Sequence, residues 1–119
     1  MGYRSQVASI IYEKKEVMDK FKKENADIIK VLDDEFNDGS LKYLGSADYD
    51  FIYLNGNDWK WYPTYKEVKA WHDLMDLAEK KELAVEFVRI GDDYDDVEVD
   101  CRNDYQYYLN VERFIEATF

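Results

Sequence analysis

The apolar positions of this chain follow two different periods. Val7-Ala8-Ser9-Ile10-Ile11-Tyr12 is a short β-branched run closed off by Glu13-Lys14-Lys15-Glu16, which reads as a first, mostly buried strand. The spacing then changes. Val17, Phe21, Ile28 and Leu32, with Met18 and Ile29 beside them, recur at helical intervals while lysines and glutamates fill the gaps, so one amphipathic helix is expected from about Lys14 to Asp34. The cluster Asn37-Asp38-Gly39-Ser40 ends it.

Tyr49 to Leu54 is again strand-like and leads through Asn55-Gly56 to Trp59-Lys60-Trp61-Tyr62. Both Asn and Gly tolerate the positive φ of a type I′ turn, so a hairpin is expected here, with Trp59 and Trp61 on one face of its second strand. After Pro63, the segment Thr64-Tyr65-Lys66-Glu67 matches a capping box, in which the Glu67 amide donates to the Thr64 hydroxyl and the Glu67 carboxylate accepts from the Thr64 amide. The helix so begun carries Val68, Trp71, Met75 and Ala78 as a stripe, flanked by Leu74 and Leu77, and ends near Lys81, a cation suited to the negative helix end. Leu83 to Ile90 forms a further strand, and Val97-Glu98-Val99-Asp100-Cys101-Arg102 alternates apolar with charged residues, the pattern of a strand with one wet face. The loop from Gly91 to Asp96 is short enough for these two to pair. Tyr107 to Ile115 is compatible with strand or helix, and the alternation of Leu109 and Val111 favours a strand. The expected architecture is α+β: a two-layer sandwich of an antiparallel sheet with two helices on one face, ferredoxin-like or related, in a single domain over residues 1–119.

Composition narrows the function classes. The chain has 119 residues, 46% of them hydrophobic and 17% aromatic, with 11 Tyr, 6 Phe and 3 Trp, enough side-chain area to offset the entropy of ordering a chain of this size. Against 27 Asp and Glu stand 16 Lys and Arg, for a net charge of -11. That balance repels phosphate backbones and anionic headgroups, so neither direct nucleic-acid binding nor a membrane partner is expected. The one cysteine, Cys101, has no internal disulfide partner, and no Cys and His set closes a zinc site, which points to a reducing, cytoplasmic setting. No apolar run approaches the length of a membrane span, no signal-peptide pattern opens the chain, and Gly2 and Ser5 match the myristoylation pattern only in part.

The charge is uneven. Residues 1–40 and 41–91 each carry 7 basic and 9 acidic groups, whereas residues 92–119 carry 2 and 9. Within this last part Asp92, Asp93, Asp95, Asp96, Glu98, Asp100 and Asp104 have only Arg102 as a local counter-charge. If Val97, Val99 and Cys101 face the core, then Asp96, Glu98 and Asp100 line an outer face. Three readings stay open for it: a solvated face that protects against aggregation, a docking surface for a basic groove on another protein, or a calcium loop. Calcium is disfavoured because Gly91 precedes the acids instead of falling among them. In the docking reading Asp92, Asp93, Asp95, Asp96, Glu98 and Asp100 pair with Lys and Arg, while Tyr94 and Tyr105 supply packing area.

Catalytic signals are thin. His72 is the only histidine, Cys101 is expected to face the core, and 27 acids make some carboxylate pair at any required distance inevitable. The five glycines lie singly, so no phosphate-cradling loop exists. No catalytic residue, metal or cofactor is expected.

Three segments, Met1-Gly2-Tyr3-Arg4-Ser5, Trp61-Tyr62-Pro63-Thr64-Tyr65 and Arg89-Ile90-Gly91-Asp92-Asp93-Tyr94-Asp95-Asp96-Val97-Glu98, together resemble a group of small acidic proteins of uncharacterised function encoded by phages and prophages. The resemblance implies a setting, the cytoplasm of a bacterial host, in which small acidic phage proteins often block defence enzymes, some by imitating the charge of DNA. The expected function is therefore a non-enzymatic protein that binds and inhibits or modulates a host protein, of anti-CRISPR or anti-restriction type, by occupying a basic nucleic-acid-binding groove. The alternative is a structural protein that self-associates through its aromatic hairpin.

Overall fold

The computed structural model describes residues 4–91, 96–103, 109–111 and 115–117. In chain order the elements are β1 (Ser5–Lys14), α1 (Lys15–Glu24), α2 (Ala26–Glu35), β2 (Leu41–Gly45), β3 (Tyr49–Trp59), α3 (Lys66–Lys80), β4 (Ala84–Ile90), β5 (Val97–Arg102), β6 (Leu109–Val111) and β7 (Ile115–Ala117). Five strands form one sheet in the order β2-β3-β1-β4-β5, every neighbouring pair antiparallel, and β6 pairs with β7 separately. The α+β class and the antiparallel sheet are as expected, but three helices pack beside the sheet instead of two.

The central strand β1 is buried on both faces, which explains its near-continuous apolar run. Val7 and Ile11 join Ile52, Leu54, Val85 and Phe87 under the helices, against Met18 and Phe21 of α1, Leu32 of α2, and Trp71, Leu74, Met75 and Ala78 of α3. Ala8, Ile10 and Tyr12 face the other way with Phe51, Ala84 and Val88, and Leu109 of β6 packs on this second face. The sheet is therefore covered on both sides, and a two-layer description omits that C-terminal contribution. Ser9 is buried in β1 and keeps its hydroxyl satisfied by donating to the Glu86 carbonyl at 2.7 Å.

Three local expectations are corrected. The single long helix is broken at Asn25, whose backbone (φ -118°, ψ 29°) leaves the helical region and whose side-chain amide donates to the Phe21 carbonyl at 2.9 Å. An Asn that serves a backbone acceptor competes with helix continuation, and the break lets α1 and α2 each reach the same core. The Asn55-Gly56 pair is not a turn, because β3 runs through it to Trp59 with a register irregularity between Ser5 and Val7 of β1. Gly56 is needed for a different reason: a Cβ there would lie 1.9 Å from the Trp59 ring. The hairpin is formed instead by β2 and β3, closed where the Ser46 amide donates to the Tyr49 carbonyl at 2.8 Å. Finally, the capping box does not form. Helix α3 starts at Lys66 with Tyr65 as its N-cap and no side-chain cap bond, after a turn in which the Tyr65 amide donates to the Tyr62 carbonyl at 3.0 Å.

Candidate interaction site

The acidic strand exists, but it presents its carboxylates differently from the expectation. Asp92, Asp93, Tyr94, Asp95, Asp104 and Tyr105 lie outside the described residues. In β5, Glu98 stands opposite Arg89 and Asp100 opposite Phe87, and Phe87 belongs to the core beneath the helices, so these carboxylates sit on the helix side. The alternation was legible and the face assignment was inverted: on the other side Val97 is 41% and Val99 58% exposed, and Cys101 is exposed instead of facing the core. The reason is that β5 is the outermost strand of its sheet, where apolar side chains need not be covered.

Two arginines already occupy the described carboxylates of this strand. The Arg89 guanidinium forks onto Asp96 at 2.9 and 3.1 Å, reaches Glu98 at 3.1 Å, and donates to the Ser5 hydroxyl at 3.1 Å. Arg102 donates to Asp100 at 2.8 Å and ties β5 to α3 through Asp76 at 2.7 Å and Glu79 at 3.5 Å. Its pKa is raised, chiefly by the Asp100 hydrogen bond. The Arg102 pairs fasten the edge strand to α3.

A second group of carboxylates lies beside half-buried aromatic rings at the end of α2. The last turn of α2 is Leu32-Asp33-Asp34-Glu35, with no basic residue in it, and the carbonyl end of a helix is already electronegative. Three carboxylates on that end are unfavourable for the helix itself and concentrate a negative potential. Asp33 accepts from the Tyr43 hydroxyl at 2.6 Å, and Glu35 pairs with Lys66 at 2.8 Å. Burial, with the Asp33 carboxylate second, pushes the Tyr43 phenol well above its ordinary pKa. Asp38 accepts from both the hydroxyl and the amide of Ser40, which hold its pKa below the usual carboxylate range.

Directly beside this helix end lies a cavity of about 260 Å³. Glu35, Phe36 and Asp38 contribute from the end of α2, Trp59, Lys60 and Trp61 from the end of β3, and Tyr65, Glu67 and Val68 from the start of α3. The Trp59 and Trp61 rings stack with centroids 5.7 Å apart at 14°, and Phe36 lies 5.3 Å from Trp59. Behind Trp61 come Phe87 at 6.1 Å and His72 at 6.1 Å, so both tryptophans rest against the main core while fronting the cavity. The Glu67 carboxylate acts electrostatically on the Lys66 ammonium, as Glu35 does through its ion pair. Two cations, Lys60 on the wall and Lys66 paired with Glu35, stand against its three carboxylates.

His72 is wedged between the rings of Trp61 and Phe87, the latter 5.4 Å away. Burial lowers its pKa, opposed by Glu98, Asp76 and Asp100 and reinforced by Arg102. Among the described residues no group of three His, Cys, Asp or Glu is arranged to hold a metal ion, and no helix is long and apolar enough to cross a membrane.

The residues of this cavity were visible in the sequence only separately, as a helix-stopping cluster, an aromatic segment and a supposed capping box. Their approach depends on β3 continuing through Gly56, which a two-residue-turn reading forbids. No protein-family model, curated protein or solved structure matches the chain.

Proposed function

We propose that this protein is a non-enzymatic binding protein that docks onto a basic surface of a partner protein and inhibits or modulates it, with the contact centred on the end of α2 and the adjoining aromatic cavity. The observation that carries this reading is the unbalanced charge at that place. Three carboxylates crowd the negative end of one helix without a basic residue in its last turn, and two more, Asp38 and Glu67, border the same hollow. Such a potential draws a cationic partner in and orients it, and the half-buried aromatic rings beside it provide the packing that electrostatics alone does not supply. The β5 carboxylates, spent on Arg89 and Arg102, have a smaller part in this scheme than the sequence pattern alone implies. In the phage setting that the sequence resemblance implies, the partner is a host protein with a nucleic-acid-binding groove. Self-association through the aromatic segment is less favoured, because it brings the carboxylates Glu35, Asp38 and Glu67 of two copies together.

The scaffold fits the ferredoxin-like arrangement. β1-α-β2 and β3-α3-β4 are two interlocked split units in the order β2-β3-β1-β4, with the first helix divided in two and β5 added at one edge.

The test is a titration of the intact protein with an arginine-rich peptide, followed by tryptophan fluorescence at low and at physiological salt. Binding should weaken as the screening length falls from about 30 to about 8 Å, and Asp33→Asn with Asp34→Asn should weaken it further. Affinity that is indifferent to salt and to both substitutions, or no binding at low salt, overturns the proposal.

A further inference from the structure

We infer that the cavity between the ends of α2 and β3 and the start of α3 is a seat for one guanidinium group, the head of an arginine side chain presented by the basic partner. The inference deepens the docking reading and rests on it. At about 260 Å³ the space lies below the roughly 300–1,000 Å³ of ordinary small-molecule pockets and suits a single inserted side chain. Its wall chemistry selects among the possible heads. An anion would meet Glu35, Asp38 and Glu67, and an apolar head would strip water from those carboxylates without replacing it. A hard metal ion wants a cage of oxygens, whereas Phe36, Trp59, Trp61 and Tyr65 make much of this wall aromatic.

Between the two organic cations, the guanidinium fits better. It is planar and weakly hydrated, lies favourably against indole and phenol rings, and carries five donors that can address carboxylates on different sides at once. Here those carboxylates come from three places in the chain, Glu35 in the last turn of α2, Asp38 in the turn that follows it and Glu67 in the first turn of α3. A lysine ammonium is more strongly hydrated and would satisfy fewer of them. Glu35 is ion-paired with Lys66 at 2.8 Å, whereas Glu67 acts on the same ammonium only electrostatically, so Glu67 is the less engaged acceptor for the incoming head.

The three indole N–H resonances give the test its internal control, because Trp59 and Trp61 front the cavity and Trp71 is fully buried in the core. Titrating the intact protein with N-acetyl-arginine amide should shift the Trp59 and Trp61 signals and leave Trp71 still. The citrulline analogue, equal in shape but uncharged, should bind at least about tenfold more weakly, and the lysine analogue should fall between them. Glu67→Gln should weaken arginine binding several-fold without altering the rest of the spectrum. Equal responses to arginine and citrulline, immobile Trp59 and Trp61 signals, or an unchanged affinity in Glu67→Gln would each overturn the inference. If the arginine-rich peptide still binds in a salt-dependent way while the amide does not, the docking surface stands and the guanidinium seat falls. Loss of both removes the two together.

Discussion

Replacing Gly56 by alanine adds one methyl group where the structure has no room for it. The new Cβ would lie 1.9 to 2.3 Å from three atoms of the Trp59 ring, so the indole must leave its place between Phe36 and Trp61. Each aromatic pair contributes about 0.5–1.5 kcal/mol beyond its buried area, which puts the loss of two pairs at about 2 kcal/mol. Alanine returns about 0.5–1 kcal/mol by restricting the unfolded chain, and re-exposure of part of the ring offsets that gain. The net destabilisation is therefore about 2 kcal/mol, or a fall in Tm of about 8 °C for a chain of this size. Urea unfolding followed by circular dichroism measures it. The informative comparison is the same substitution in a Trp59→Ala background, where the obstacle is gone and Gly56→Ala should be neutral or slightly stabilising, a coupling that a double-mutant cycle reads directly. If Gly56→Ala costs as much without the indole as with it, the close approach is not what selects glycine here, and the account of how β3 delivers Trp59 to the cavity is wrong.

Two further outcomes follow from buried polar groups. Glu86, 1% exposed on β4, accepts the Leu109 amide at 2.9 Å and so fastens the C-terminal segment to the second sheet face. Glu86→Ala should cost about 2–4 kcal/mol, since it leaves a hollow and a buried N–H without this acceptor, and should speed amide exchange at Leu109, whereas Glu86→Gln, which keeps an acceptor, should cost less. His72 has a folded pKa below 6.5 because burial disfavours its charged form. Its stabilising contribution is therefore present above the unfolded value and lost as pH falls through the folded one, so His72→Phe should flatten that part of the pH–stability curve. An imidazole titration by NMR with a midpoint at or above 6.5 would contradict the assignment.

Much of this fold was readable before any coordinates. Strands β1 and β4 and helix α3 announce themselves because a face turned to the core has to be apolar along its length, and β5 by its alternation alone, its apolar positions being exposed. The elements that were misread are those whose local signals have two meanings. Asn-Gly suits a two-residue turn, but it equally suits a strand that another part of the chain crosses closely, and only the position of the Trp59 ring distinguishes the two. Asn25 carries no mark in the sequence that sets it apart from a tolerated helix interior residue. β2 is five residues long and mostly exposed, so it lacks the hydrophobic pattern that identifies a strand.

What the amino-acid sequence determined by itself was the α+β class, the alternation within β5, and a net charge of -11. The tertiary structure decided where that charge is available. Alternation states that Glu98 and Asp100 share a side, yet the side is chosen by register with Arg89 and Phe87 on the neighbouring strand, and there Arg89 pairs with Glu98 and Arg102 with Asp100. Conversely, Glu35, Asp38, Trp59, Trp61 and Glu67 become one site only because a sheet and two helix ends converge. Periodicity is a property of each segment, whereas proximity between segments is settled by packing.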